Sequence, residues 1–219
     1  MRFDILTLFP QMFAPFLENG VIRRAFASGQ VEVHLWNPRD FAEGNYRRVD
    51  DRPFGGGPGM VMLADPLQRC LDAAQQSRTQ ALPEEEAVPV VLFSPIGHTL
   101  HHGAVAQWAQ GSGAILLCGR YEGIDQRFID ANVTHQISLG DFVLSGGEMA
   151  ALVLLDAITR LQPGVLTTPA PKCGKATACL RRCCRATMPT LSAGGVSKAC
   201  ASPPSSARNC CNKPAAKGV

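Results

Sequence analysis

Leu116–Arg127 reads LLCGRYEGIDQR. Directly past an apolar run, it places Arg120, Glu122, Asp125 and Arg127, two charges of each sign, around Tyr121, Gly119 and Gly123. Glycines let a backbone approach a ligand closely, and a tyrosine ring offers a flat face to a planar group. The stretch has neither the Gly-Lys-Ser/Thr of a phosphate-binding loop nor the G-x-G-x-x-G of a dinucleotide site. Its structural alternative is a solvated turn in which Glu and Arg pair. A second stretch, ISLGDFVLSGGE (Ile137–Glu148), wraps apolar residues between Gly140, Gly146 and Gly147 and then opens a helix. Exposed main-chain donors and acceptors in such a loop can read a purine edge, although an ordinary turn is the commoner role of any one glycine. A third, NYRRVDDRPFGGGPGM (Asn45–Met60), alternates Arg47, Arg48 and Arg52 with Asp50 and Asp51 before a run of Gly and Pro. It reads either as a lid bringing cations to phosphates and a carboxylate to a base, or as a charge cluster facing water. His98, His101 and His102 do not converge at ligand spacing, so no metal site is expected from them.

These residues need elements to hold them. Phe3–Phe9 is an apolar run of strand length closed by Pro10, and Val31–Trp36 alternates with period two. Gln11–Leu17 and Val21–Ala27 have helical spacing, with Gly20 and Gly29 as stops. Ala64–Gln76 reads as an amphipathic helix and Gln76–Ala87 as a polar, acidic connector. A regular rhythm follows, with strands at Val88–Phe93, Ala114–Cys118 and Val133–Ser138. Each leads into a glycine-bearing loop (SPIG, CGRYEG, LGDFVLSGG) and then a helix, near His101–Gln110, from Ile124, and at Glu148–Leu161. This alternation predicts an α/β fold, a parallel sheet flanked by helices on both faces. Ligands bind at the carboxyl edge of such sheets, and three glycine loops sharing that edge make isolated turn glycines a poor explanation.

Charge is divided along the chain. Residues 1–166 hold twelve arginines, no lysine, eighteen acidic residues and two cysteines, Cys70 and Cys118, for a net −6. Residues 167–219 hold nine basic residues, seven cysteines and no acid, for a net +9. Two isolated cysteines fit a reduced, intracellular body. No apolar run reaches the roughly 18 residues of a membrane span. The opening MRFDILTLFPQMF, with its early Asp4, lacks a signal-peptide pattern, so a cytoplasmic protein is expected. A body acidic overall binds nucleic acid only through a local basic patch. The tail has neither period and only two leucines, which predicts disorder. Its cysteines form no recurring Cys-x2-Cys pair, which argues against structural zinc; a basic, Cys-rich arm for RNA or metal remains the tail's alternative role.

LFPQMF, WNPRDF, VDDRPFGGGPGMVM, SPIG, LLCGRYEGID, SLGDFVLSGGE and ITRLQPGVL occur in that order between residue 1 and Leu166. Together they closely resemble the bacterial tRNA (guanine-N1)-methyltransferase family, of the SPOUT or trefoil-knot class. The resemblance implies that residues 1–166 form an S-adenosylmethionine-binding methyltransferase domain with a deep C-terminal trefoil knot. It implies a homodimeric enzyme that methylates N1 of the guanine just 3′ of the tRNA anticodon. Donor contacts implied by the match are Pro95, Gly119, Tyr121, Glu122, Leu139, Gly140, Asp141, Phe142, Val143, Leu144, Gly146 and Gly147. Implied substrate contacts are Asp50, Asp51, Arg52 and Arg120. Arg160, in ITRL, matches the family's catalytic arginine and would take the charge that develops on guanine O6 as N1 loses its proton. Without the family, it reads as a helix-end cation. The family also suggests assistance by Mg²⁺.

The resemblance breaks after PGVL. The family's general base is an aspartate shortly past that motif, and a C-terminal helical domain then grips the tRNA. Counting on from Arg160 places the carboxylate near Lys175, in a segment with no Asp or Glu. Residues 167–219 therefore read as a frameshift-like tail replacing the linker and tRNA-binding domain. Regrouping the codons of SKACASPPS (Ser197–Ser205) from their third base permits Glu-Gly-Met-Arg-Val-Pro-Ala-Val-Leu, similar to the family's sequence there. One shift accounts for the lysines, the paired cysteines and the lost periodicity together. As written, the chain is expected to bind donor and to be impaired in transfer, or to be a catalytically silent donor-binding remnant. Resequencing the coding DNA across the codons for Arg160 to Lys175 should reveal one base gained or lost; an intact frame would refute the frameshift.

Overall fold

The computed structural model describes residues 1–81 and 88–165. The expected end of the acidic connector (82–87) and the expected disordered tail lie outside those residues. The chain runs β1 (Arg2–Leu6), α1 (Ala14–Glu18), α2 (Arg23–Ala27), β2 (Glu32–Trp36), β3 (Asp50–Asp51), β4 (Val61–Met62) and α3 (Ala64–Ala81). It continues through β5 (Val90–Thr99), α4 (His102–Trp108), β6 (Gly113–Leu117), β7 (Gly123–Ile124), α5 (Gln126–Asn132), β8 (His135–Ser138) and α6 (Glu148–Thr159). β1 and β6 are buried at every residue, so both must lie inside a sheet covered on two faces. They do: five parallel strands pair in the order β2–β1–β6–β5–β8.

The strand period of two distributes neighbouring residues to opposite faces. Phe3, Ile5 and Leu116 join Leu154, Leu155 and Ile158 of α6 in one core cluster. Leu92, Ile115 and Leu117 join Leu67, Cys70, Leu71 and Ala74 of α3, with Phe128 of α5, in the other. Both helices carry their apolar residues at i, i+3, i+4 spacing, the pattern of one buried stripe. Burying each large aliphatic side chain contributes about 1.5–3 kcal/mol. Burial also pushes the Cys70 thiol up to about 12, with the Asp40 carboxylate adding to the shift.

Several sequence boundaries move, and four of the moves have a plain local reason. The N-terminal helical stretch divides into a 3-10 turn at Pro10–Met12 and then α1, where Pro15 occupies the first turn. α3 runs on to Ala81 because buried Arg78, in its last turn, donates to the Arg2 carbonyl at 2.8 Å and to Asp4 at 3.1 Å. β5 does not stop at Phe93: Phe93 and His98 both lie opposite Ile137, so residues 94–97 bulge out and the strand resumes to Thr99. Ile124 belongs to β7, and α5 starts at Gln126 because Asp125 caps it by accepting the Arg127 N–H at 3.0 Å. Among the described residues, no helix is long and apolar enough to cross a membrane.

One charge cluster sits where the apolar pattern forbids it. Asp4 is fully buried on β1 and accepts from Arg2 at 2.7 Å, Arg78 at 3.1 Å and the Trp36 indole at 3.0 Å. It thereby ties β1, β2 and α3 to one another. Asp4→Ala should lower unfolding free energy by about 3–5 kcal/mol in urea titrations, because two arginines stay buried around the gap. Glu43→Ala, which opens the solvent-exposed Arg69–Glu43 pair, should cost no more than about 1 kcal/mol.

Candidate functional site

The bulge of β5 and the carboxyl ends of β6 and β8 open into a cavity of about 300 Å³. Its walls include Phe93 and Pro95 at the bulge within β5, Gly119–Gly123 after β6, and Leu139 and Phe142–Gly147 after β8. All three glycine loops expected at the ligand edge therefore meet. Pro95, Gly119, Tyr121, Glu122, Leu139, Phe142, Val143, Leu144, Gly146 and Gly147 line the cavity, whereas Gly140 and Asp141 sit in the same loop outside the lining. Ile124, Ile129 and Ala150 line it too, from helical or buried positions that look like plain core in the sequence. A second cavity of about 500 Å³ lies near the amino ends of β6 and β8, with His98, His101 and His135 in its wall but not His102.

Two loops are locked together at backbone distance. The Gly147 N–H donates to the Gly119 carbonyl at 3.0 Å. A side-chain carbon on Gly147 would lie 2.7 Å from Cys118 Cα, and one on Gly146 would collide with the Arg120 guanidinium. Arg120 itself points inward: it donates to Glu148 at 2.9 Å and to the Ser145 carbonyl at 3.1 Å, and lies over the Phe9 ring at 4.6 Å. Burial holds the neighbouring Cys118 thiol well above its usual range, with Glu148 adding to the shift and Arg120 opposing it. Tyr121 adopts a left-handed backbone (φ 61°), a conformation a residue with a side chain holds only when its surroundings over-determine it.

The arginine-rich loop is tied to this edge by a small sheet, in which β4 pairs with both β3 and β7. Glu122 strengthens the tie, its carboxylate accepting the Met60 N–H at 2.6 Å. Arg48 spends its charge on Asp51 at 2.6 Å and Arg47 on Asp40 at 2.9 Å. Asp50, Asp51 and Arg52 stand outside the cavity lining; the Arg52 side chain is exposed and makes no hydrogen bond or ion pair among the described residues. Downstream of the cavity, Asp125 is held below the usual carboxylate range, chiefly by its hydrogen bond from Arg127. Arg160 is exposed at the far end of α6 and does not line the cavity.

A pocket built from three glycine loops at one edge of a parallel sheet marks an α/β domain of the kind that takes small ligands at that edge. Comparison with known proteins narrows the class. Residues 1–176 match the family described as tRNA (Guanine-1)-methyltransferase TrmD, and the chain belongs to that family. It is 68% identical over 166 residues to the tRNA (guanine-N(1)-)-methyltransferase of Paracidovorax citrulli, covering 76% of this chain and 64% of that one. It is 69% identical over 166 residues to the enzyme of the same name from Albidiferax ferrireducens, with the same coverage. Among solved structures it resembles tRNA (m1G37) methyltransferase from Aquifex aeolicus, at a TM-score of 0.66 and 37% identity over 77% of this chain and 73% of that one. The chain thus spans just under two thirds of the length of these two curated relatives.

The loop lock has a direct consequence. Gly147→Ala should lower the melting temperature, with a cost of about 1–3 kcal/mol from forced backbone displacement. Gly123→Ala, where an added carbon meets nothing within 4 Å, should stay within about 0.5 kcal/mol of the parent.

Proposed function

We propose that residues 1–166 are the donor-binding domain of a methyltransferase that acts on N1 of guanine 37 of tRNA, the position named for the Aquifex aeolicus relative. S-adenosylmethionine supplies an electrophilic methyl group on sulfur. The observation that carries the reading is the three-loop cavity, whose volume lies at the small end of the roughly 300–1,000 Å³ usual for ligand sites. Its chemistry fits the donor. Gly119 and Gly146 present main-chain groups that suit an adenine edge, and Leu139 with Phe142–Leu144 supplies apolar wall. Gly147 is engaged by Gly119 and Ala151 and adds close approach instead. Tyr121 and Glu122 stand at the rim beside the charged loop, where Asp50, Asp51 and Arg52 would meet the anticodon stem-loop. The deep trefoil knot is part of this proposal. Its support is the resumed β5 strand, which presses Gly97 so close to Gln136 that a side-chain carbon there would lie 2.6 Å from backbone.

The O6 role falls to Arg160, and geometry favours a second copy of the chain as its source. About 20 Å of helix separates Gly147 from Arg160, at roughly 1.5 Å per residue. That is too far for one side chain to return to its own pocket mouth. Met149 and Val153, one turn apart on α6, are exposed together with Phe142 and Leu144, an apolar surface that a homodimer would cover. The enzyme would work in the cytoplasm, with tRNA. The described lining does not fit Mg²⁺. Among the described residues Glu122 is the only carboxylate in that lining and already holds Met60, and no cluster of three or more His, Cys, Asp or Glu able to hold an ion is found.

N1 of guanine must lose a proton before it attacks, and residues 167–219 supply no carboxylate to take it. We read them as a frameshift-like replacement of the linker and tRNA-binding domain. Calorimetry with S-adenosylhomocysteine should show binding to the chain as written. Methyl transfer to an unmodified tRNA transcript should be at least about 10²-fold below that of the frame-restored chain, the usual worth of a positioned base. Absence of donor binding would sink the pocket assignment, and unimpaired transfer would sink the missing-base reading.

A further inference from the structure

We infer that Glu148 is a positioning residue for the donor pocket, acting through Arg120 on two of the three loops that form it; the inference rests on the donor reading above. Glu148 is fully buried and does not line the cavity. Its carboxylate accepts from the Thr7 hydroxyl at 3.0 Å and from Arg120 Nε at 2.9 Å. Thr7 Oγ1 in turn accepts the Phe9 N–H at 3.0 Å, and the Phe9 ring lies under the Arg120 guanidinium. The four residues close a ring, Glu148 to Thr7 to Phe9 to Arg120 and back. Its members come from the segment after β1, the loop after β6 and the first turn of α6.

From that ring, Arg120 reaches out to the pocket wall. Its NH1 donates to the Ser145 carbonyl at 3.1 Å, and its guanidinium occupies the space that a side chain at residue 146 would need. The loop after β8 is thus pinned from below by a charge whose counter-ion lies one layer deeper. Two features suit an acidic residue at 148: its place in the first turn of α6, where negative charge is favoured, and the adjacent Arg120 guanidinium. Arg120 cannot swing toward a substrate without stranding the buried carboxylate. The structure therefore makes Arg120 a strut, and makes donor affinity depend on a residue that never touches the donor.

The test compares Glu148→Gln and the milder Thr7→Val with Leu71→Ala, a cavity variant in the opposite core cluster, at a temperature where all are folded. Gln keeps the shape of Glu148 but removes its charge and gives one arm a donor. The expected result is a rise of about tenfold in Kd for S-adenosylhomocysteine for Glu148→Gln and a smaller rise for Thr7→Val. Leu71→Ala should leave Kd within about twofold even where its melting temperature falls as far. Amide hydrogen exchange without ligand should accelerate over residues 139–147 in Glu148→Gln and Thr7→Val but not in Leu71→Ala. Equal effects in all three variants, or none over that loop, would overturn the inference. Should the parent bind no donor, the proposed function fails while the exchange comparison still decides the positioning role.

Discussion

The site depends on how closely two strand-end loops approach each other. The Gly147 N–H meets the Gly119 carbonyl at 3.0 Å, with no room between the loops for a side chain at residue 146 or 147. At that distance, main chain rather than side chain forms the adjoining wall of the cavity. A wall of amides is rigid and carries donors and acceptors in fixed directions, which suits recognition of a flat heteroaromatic ligand better than mobile side chains. The same approach forces the bulk of Arg120 to one side, where Glu148 and Phe9 receive it. Pocket wall and buried ion pair are two results of one steric constraint.

Much of this was legible in the residues because its causes are local. Apolar runs of four to six residues, separated by helical spacing, lead to a parallel sheet, and glycines just past three strands mark its ligand edge. What escaped the sequence depends on contacts between distant segments. In CGRYEG, Arg120 stands among charges and reads as solvated or substrate-facing, yet its partner Glu148 is 28 residues later and that partner's other ligand, Thr7, is 141 residues before Glu148. Glu148 in turn looks like an ordinary first-turn acid favoured by the helix dipole. The bulge in β5 was equally hidden, since it shows only when Phe93 and His98 are both set opposite Ile137. Asp4 breaks the apolar pattern of β1 visibly, but its partners Arg78 and Trp36 are brought to it by α3 and β2, which pack beside β1.

α6 gives the domain a second kind of order. Its first turn anchors the pocket through Glu148, while Leu154, Leu155 and Ile158 bind its middle to the sheet, and Arg160 emerges at the end. A packed helix is a stiff spacer, so the pocket end and the arginine end keep a fixed separation. Within one chain that separation keeps them apart. Across a two-fold axis, the same stiffness would set Arg160 of each copy at a defined place relative to the other's pocket, which is how a homodimer can build a site neither subunit holds alone.

The core also determines which losses the domain can bear. Among the described residues the two hydrophobic clusters reach as far as Val165, which is itself buried in the cluster that includes α6. The turn that brings it there is held from two sides: Gln162 donates to the Ala109 carbonyl and Gln30 to the Pro163 carbonyl, each at 3.0 Å. A chain of roughly 150 residues buries about 68–70% of its unfolded surface, enough for an independent fold. On the proposed reading, a change of reading frame past this turn leaves both clusters and the donor pocket as they are. It would remove instead the group proposed to take a proton and the surface proposed to hold the tRNA. Stability and chemistry would then divide just past Val165, and the pocket-bearing half would persist as a folded protein after the reaction had been lost.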